Sequence, residues 1–243
     1  MMLWIHNAEL KAIVSKKDFL HLYQRLLEQD KSDLDMEVRE QIVYFADMQD
    51  LSLFSKQKIA IRFRRSNRWL EVVVKKRGVT EKDMRLIQKH CHTVENHTIK
   101  IDIDQVSDDK STVSCSLRYI YNSMHQSFAF LYNPHDLLTD LQKDFLGLWS
   151  KKSYEKLRFL IPIQSKTFVF PYEYKEFEAI SLEEWRMPHI FGNKFYEITL
   201  KTIDYNPKKT YKHFLNLLAD LDITPQKNGM YKTQWLYDAY FNV

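Results

Sequence analysis

The chain has 243 residues, enough for one large domain or two small ones. With 44% hydrophobic and 28% charged residues it can build a core, and four glycines leave no room for a glycine-rich phosphate loop. The net charge of +4, from 36 Lys+Arg against 32 Asp+Glu, does not by itself imply nucleic acid. Two cysteines, Cys91 and Cys115, make no disulfide framework and no C-x-x-C pair, which fits a reducing, cytoplasmic setting. No run of about 18 apolar residues predicts a membrane span, and MMLWIHNAELK does not read as a secretory signal.

Leu3 to Val14 alternates as a strand. Ser15 then caps a helix, with Asp18 three residues on and Phe19, Leu20, Leu22, Tyr23, Leu26 and Leu27 at helical spacing. Residues 30–37 read as a polar loop and Val38 to Ala46 as a second strand. Strands over Ile59–Arg65 and Arg68–Lys76 are joined at Ser66-Asn67 as a hairpin. Thr80 with Asp83 caps a short helix. Thr98–Ile103 and Thr112–Tyr121 read as strands around a turn at Ser107-Asp108-Asp109. Asp136 to Leu148 reads as one helix, and Lys156–Ile163, Lys166–Tyr174 and Phe195–Lys201 as strands. Pro207 suits the first turn of a helix carrying Tyr211, Phe214, Leu217, Leu218 and Leu221. An aromatic amphipathic helix from Met230 to Phe241 closes one side of the barrel, or docks a second copy or another subunit. The expected class is α+β: a closed or nearly closed antiparallel β-barrel with flanking helices, formed by the whole chain as one domain.

Period-two alternation sorts the strands into faces. Asn7, Glu9 and Lys11 oppose Ala8, Leu10 and Ala12. Arg62 and Arg64 oppose Ile59, Ile61 and Phe63, and Glu71, Val73 and Lys75 oppose Leu70, Val72 and Val74. Glu197, Thr199 and Lys201 oppose Tyr196, Ile198 and Leu200. Such charged faces suit a half-solvated sheet. They equally suit the inside of a closed one, where buried charges need partners or a ligand.

The segments NAELKAIVSKKDFLHLYQRL, VYFADMQDLSLFSKQKIAIRFRRSNRWLEVVVKKRG, FYEITLKTI and LDITPQKNGMYKTQWL carry a resemblance. They are similar to the opening E-x-E-x-K strand, the R-x-R hairpin, the closing E-x-E strand and the tail of CYTH-domain proteins, the triphosphate tunnel metalloenzymes. The resemblance spans about 110 residues at the two ends, and the middle around 81–155 does not align. By position it implies phosphate-binding roles for Lys11, Arg62, Arg64, Lys75 and Arg158, and metal ligation by Glu9 and Glu197. Asn7 and Thr199 stand where the family has acidic residues, and Tyr44-Phe45-Ala46-Asp47 runs one residue out of step with its strand end.

The resemblance implies a Mg2+- or Mn2+-dependent triphosphatase. Its substrate would be inorganic triphosphate, a nucleoside triphosphate or an RNA 5′-triphosphate end. A non-catalytic triphosphate-binding module and a polyphosphate polymerase-like transferase are the alternatives, the first because two family carboxylates are missing. A single-strand RNA contact is a further reading, because Arg62, Arg64, Arg65, Arg68, Lys75, Lys76 and Arg77 cluster near Trp69. His90, Cys91, His92 and His97 lack zinc-ligand spacing and read as a polar loop. Asp102 and Asp104 share a strand face, as an extra metal contact or a solvated edge.

Overall fold

The computed structural model describes residues 7–29, 36–66, 69–90, 97–107, 111–122, 133–149, 154–174, 177–188, 194–202, 206–226 and 230–241. Along the chain the elements are β1 (Asn7–Ile13), α1 (Lys16–Gln29), β2 (Glu37–Asp47), α2 (Ser52–Gln57), β3 (Ile59–Arg65), β4 (Leu70–Arg77), α3 (Glu81–His90), β5 (His97–Gln105) and β6 (Ser111–Tyr121). They continue with α4 (Asp140–Gly147), β7 (Arg158–Phe159), β8 (Ile163–Tyr174), β9 (Phe177–Arg186), β10 (Lys194–Thr202), α5 (Pro207–Asp220) and α6 (Lys232–Phe241).

The strands hydrogen-bond in the order β3-β4-β6-β5-β1-β10-β9-β8-β2-β7, and β2 also pairs with β3. That last pairing returns the order to its start, so the class is α+β with a closed β-barrel. The barrel is mixed: β1 runs antiparallel to β10 and parallel to β5.

The chain divides into two compact units. One comprises 1–40, 102–111 and 164–243, and the other 41–101 and 112–163. In the first, the apolar face of β1 (Leu10, Ala12) and of β10 (Ile198, Leu200) packs with Phe19, Leu22 and Leu26 of α1 and Phe214, Leu217 and Leu218 of α5. In the second, Ile61 and Phe63 of β3 and Val72 and Val74 of β4 pack with Phe145 and Leu146 of α4. Each fully buried side chain of this size contributes roughly 1.5–3 kcal/mol of transfer free energy.

Local signals fix the helix starts. Ser15 Oγ accepts from the Asp18 amide at 3.1 Å, and Thr80 Oγ1 accepts from the Asp83 amide at 3.2 Å. Asn206 accepts from the Lys209 amide in front of Pro207.

Four expectations are corrected. The helix expected over Asp136–Leu148 is a 3-10 turn at Pro134–Leu137 followed by α4. Thr139 and Gln142 form a reciprocal capping box that starts the helix afresh. The strand expected over Lys156–Ile163 shrinks to the two residues of β7. β9 had no counterpart in the sequence reading. The tail helix is not amphipathic: residues 231–240 are all buried or half-buried. The turn at 108–109, most of the 30–37 loop, Asn67 of the hairpin, and Cys91 and His92 lie outside the described residues. Among the described residues no helix is long and apolar enough to cross a membrane.

Candidate anion and cation sites

Three strands build the first site, within the second unit. Register sets Arg62, Val73 and Arg118 in one row across β3, β4 and β6. Arg64, Glu71 and Ile120 form the next row. The rows share a face because facing residues in a ladder point the same way. Glu71 therefore has Arg64 directly opposite and Arg62 and Arg118 on the diagonals.

Arg64 Nη1 lies 3.0 Å and Arg62 Nη2 4.0 Å from Glu71 Oε1, and Arg118 Nε lies 2.5 Å from Oε2. The Glu71 side chain is 4% exposed, whereas those of Arg62, Arg64 and Arg118 are 24%, 32% and 44% exposed. Burial pushes the Glu71 carboxyl up, but Arg64, Arg62 and Arg118 together hold it below the usual carboxylate range. Three guanidiniums share this one carboxylate and still reach solvent. Guanidiniums in this state suit phosphoryl oxygens, which they meet with paired N–H donors. Lys75 lies half-buried on the same face, one row beyond Val73, between Ala60 and Ser116.

Arg158 stands elsewhere in that unit. It is exposed on β7 opposite Asp47, and with Met48, Gln49, Asp50, Lys156 and Leu157 it lines a cavity of about 560 Å³. Asp47 is itself committed, since its carboxylate accepts from the amide of Met48 and from those of Leu53 and Phe54 in the first turn of α2.

The acidic residues expected to hold a metal lie in the first unit. Glu9 faces Asp104 across the parallel β1–β5 ladder, and the Lys11 ammonium joins them. It lies 2.7 Å from Glu9 Oε2 and bonds Asp104 Oδ1. Asp102 and Asp104 are 5% and 0% exposed, which overturns the solvated-edge reading.

Glu197 stands directly opposite Glu183 on the β10–β9 ladder. Lys232, the first residue of α6, joins this pair: its ammonium lies 2.8 Å from Glu197 Oε1 and bonds Glu183 Oε2. Thr199 donates to Glu197 Oε1 at 3.1 Å, and Ser165 and Trp185 donate to Glu183 Oε1. Glu197 is fully buried, and its Oε2 has no hydrogen-bond partner.

The structure does not bring Glu9 and Glu197 together. Glu9 faces Lys201 and Glu197 faces Ile13, four positions apart on one ladder. That is about 13 Å of strand, and each carboxylate is tied to a different lysine. Among the described residues no group of three or more His, Cys, Asp or Glu is placed to hold a metal ion. The residues present do not fit the metal site that the resemblance implies.

Arg118, Glu183 and Lys232 were missed from sequence. Arg118 carried a signal, since it shares strand parity with Ser114 and Ser116, which face Arg77 and Lys75. Glu183 was lost with β9. Lys232 reaches its partners through tertiary packing alone.

The strand faces that carry these full charges belong to a closed β-barrel. No protein-family model and no curated protein sequence matches the chain. Solved structures do. A candidate adenylyl cyclase from Hippeastrum, described as having a dominant triphosphatase activity, superposes with a TM-score of 0.64 at 13% identity. The match covers 95% of either chain. A candidate adenylate cyclase from Bacillus halodurans superposes with a TM-score of 0.57 at 14% identity, over 94% of this chain and 97% of that one. The chain thus has the fold of the CYTH-type triphosphate tunnel proteins.

Proposed function

We propose that the chain grips a triphosphate through Arg62, Arg64 and Arg118 and hydrolyses its terminal phosphoanhydride. The observation that carries this reading is the convergence of three partly solvent-accessible guanidiniums on one buried carboxylate. Glu71 holds the guanidiniums in place before the ligand arrives, which lowers the ordering cost of binding. Their positive charge neutralises phosphoryl oxygens and stabilises charge that develops as the bond breaks. Lys75 extends the cationic face by one row. The likeness to a protein with dominant triphosphatase activity supports the reaction class. The triphosphate chain is what inorganic triphosphate, a nucleoside triphosphate and an RNA 5′ end share, and the arginines address that shared part.

A second reading, a triphosphate-binding module without turnover, is favoured by Glu9 and Glu197 being tied to separate lysines. Phosphate release from tripolyphosphate and ATP, measured with and without Mg2+ or Mn2+, separates the two. Turnover that falls at least tenfold in Arg64→Ala and Arg118→Ala supports the hydrolase. Tight tripolyphosphate binding with no turnover in any condition establishes the module. Absence of both binding and turnover overturns both.

A further inference from the structure

Glu183 and Glu197 are directly opposed on neighbouring strands, an arrangement that is unfavourable for two carboxylates unless a cation lies between them. Glu9 and Asp104 repeat the arrangement on β1 and β5. In both places the cation is a lysine of the chain, Lys232 in one and Lys11 in the other. These lysines are enclosed, with side chains 17% and 10% exposed. Lys232 also lies 5.2 Å from the centre of the Trp185 ring, a cation–π contact that favours the seated ammonium.

We infer that Lys11 and Lys232 are resident counter-cations, each holding the place a divalent ion would take between two carboxylates. The acidic faces of β1 and β10 therefore bind no Mg2+ or Mn2+ of their own. A divalent ion between Glu183 and Glu197 would have to displace the ammonium, because the two cations would repel at contact distance. The bridge leaves Glu197 Oε2 without a donor. Once the ammonium is gone, a hard cation gains Glu183, Glu197 and the Thr199 hydroxyl as oxygen ligands. The inference concerns the protein alone and does not depend on whether bound triphosphate is cleaved.

The test is Mn2+ binding to the full chain without triphosphate, read as loss of the free-ion EPR signal. The native chain is expected to bind no stoichiometric Mn2+ up to about 1 mM, the weak end of biological divalent sites. Lys232→Met is expected to acquire one site at least tenfold tighter, and Lys232→Met/Glu197→Gln to lose it. A native chain that binds one Mn2+ tightly, and loses it in Glu197→Gln or Glu183→Gln, overturns the inference. So does a folded Lys232→Met that binds none. Should Lys232→Met fail to fold, Lys11→Met reads the other bridge in the same way, and the native titration decides regardless. Tripolyphosphate binding is measured in parallel with and without EDTA. Its absence would count against the proposed function and leave the Mn2+ result standing.

Discussion

The two charged regions differ in the kind of cation and in its freedom. In the second unit, three arginines share one carboxylate and stay 24–44% exposed. In the first, each of two lysines is shared by two carboxylates and is 10–17% exposed. In the arginine region several cations converge on one anion, and in the lysine regions one cation bridges two anions. A guanidinium is planar and weakly hydrated, so it keeps one carboxylate contact while offering other N–H donors to a ligand. An ammonium seated between two carboxylates has little left to offer. The first region is built to exchange its counter-ion, the second to retain it.

Removing Glu71 breaks this contrast most severely. Glu71→Ala leaves three guanidiniums without their anion and is expected to destabilise the chain by about 3 kcal/mol, the lower end for an interrupted buried pair because the arginines are partly solvated. Denaturant midpoints measure the loss. Sulfate or tripolyphosphate is expected to raise the variant's Tm more than the native chain's, because the anion replaces the missing carboxylate. A variant as stable as the native chain would show that the arginines do not depend on Glu71.

Truncating one arginine has the next largest effect. Arg118→Ala removes a charge-assisted hydrogen bond to Glu71 and one donor group for phosphate. It is expected to weaken tripolyphosphate binding tenfold or more, at roughly 1.5–3 kcal/mol for such a bond. Calorimetric titration of Arg118→Ala against Arg64→Ala tests whether the residue missed from sequence matters as much as the one found.

Acid sharpens the same comparison. Glu71 has a folded pKa below its ordinary value of 4.5. The stability it contributes is complete above that value and is lost as pH falls from it through the lower folded value. Urea unfolding is expected to show a fall in stability below about pH 4.5, at the Glu reference range, that is reduced in Glu71→Gln. A fall of equal size in both would assign the acid sensitivity to other carboxylates.

What the sequence disclosed follows from how far each signal reaches. Helix starts marked by Ser15, Thr80 and Pro207 rest on signals within four residues and are legible in the sequence, whereas the late start at Thr139 is not. Strand parity groups Arg62 with Arg64 and Glu71 with Lys75, and register then sets the two groups on one face. Parity cannot say which strands are neighbours. The resemblance pairs Glu9 with Glu197 for a metal, and nothing in the parity reveals that each has a nearer acidic partner on another strand. β9 was missed because its apolar residues fall out of step: Phe177 and Ile180 are both buried, and a register shift separates Pro171 from Tyr174 on its partner β8. Lys232 belongs to no strand pattern, and only the docking of α6 brings it to Glu183.

The smallest effect belongs to Arg158, and it tests how far positional resemblance can be trusted. Arg158 lies on a two-residue strand, exposed, and lines an open cavity with Lys156 and Asp50. The ion pairs of Glu71 run to Arg62, Arg64 and Arg118. An exposed arginine whose main neighbour, Asp47, is already satisfied by three backbone amides contributes little to stability. Arg158→Ala is expected to shift the denaturant midpoint by less than about 0.5 kcal/mol equivalent and to leave tripolyphosphate affinity within twofold. A tenfold loss of affinity would show that the ligand reaches beyond the Glu71 row to β7. It would then restore to Arg158 the phosphate role that position alone suggested.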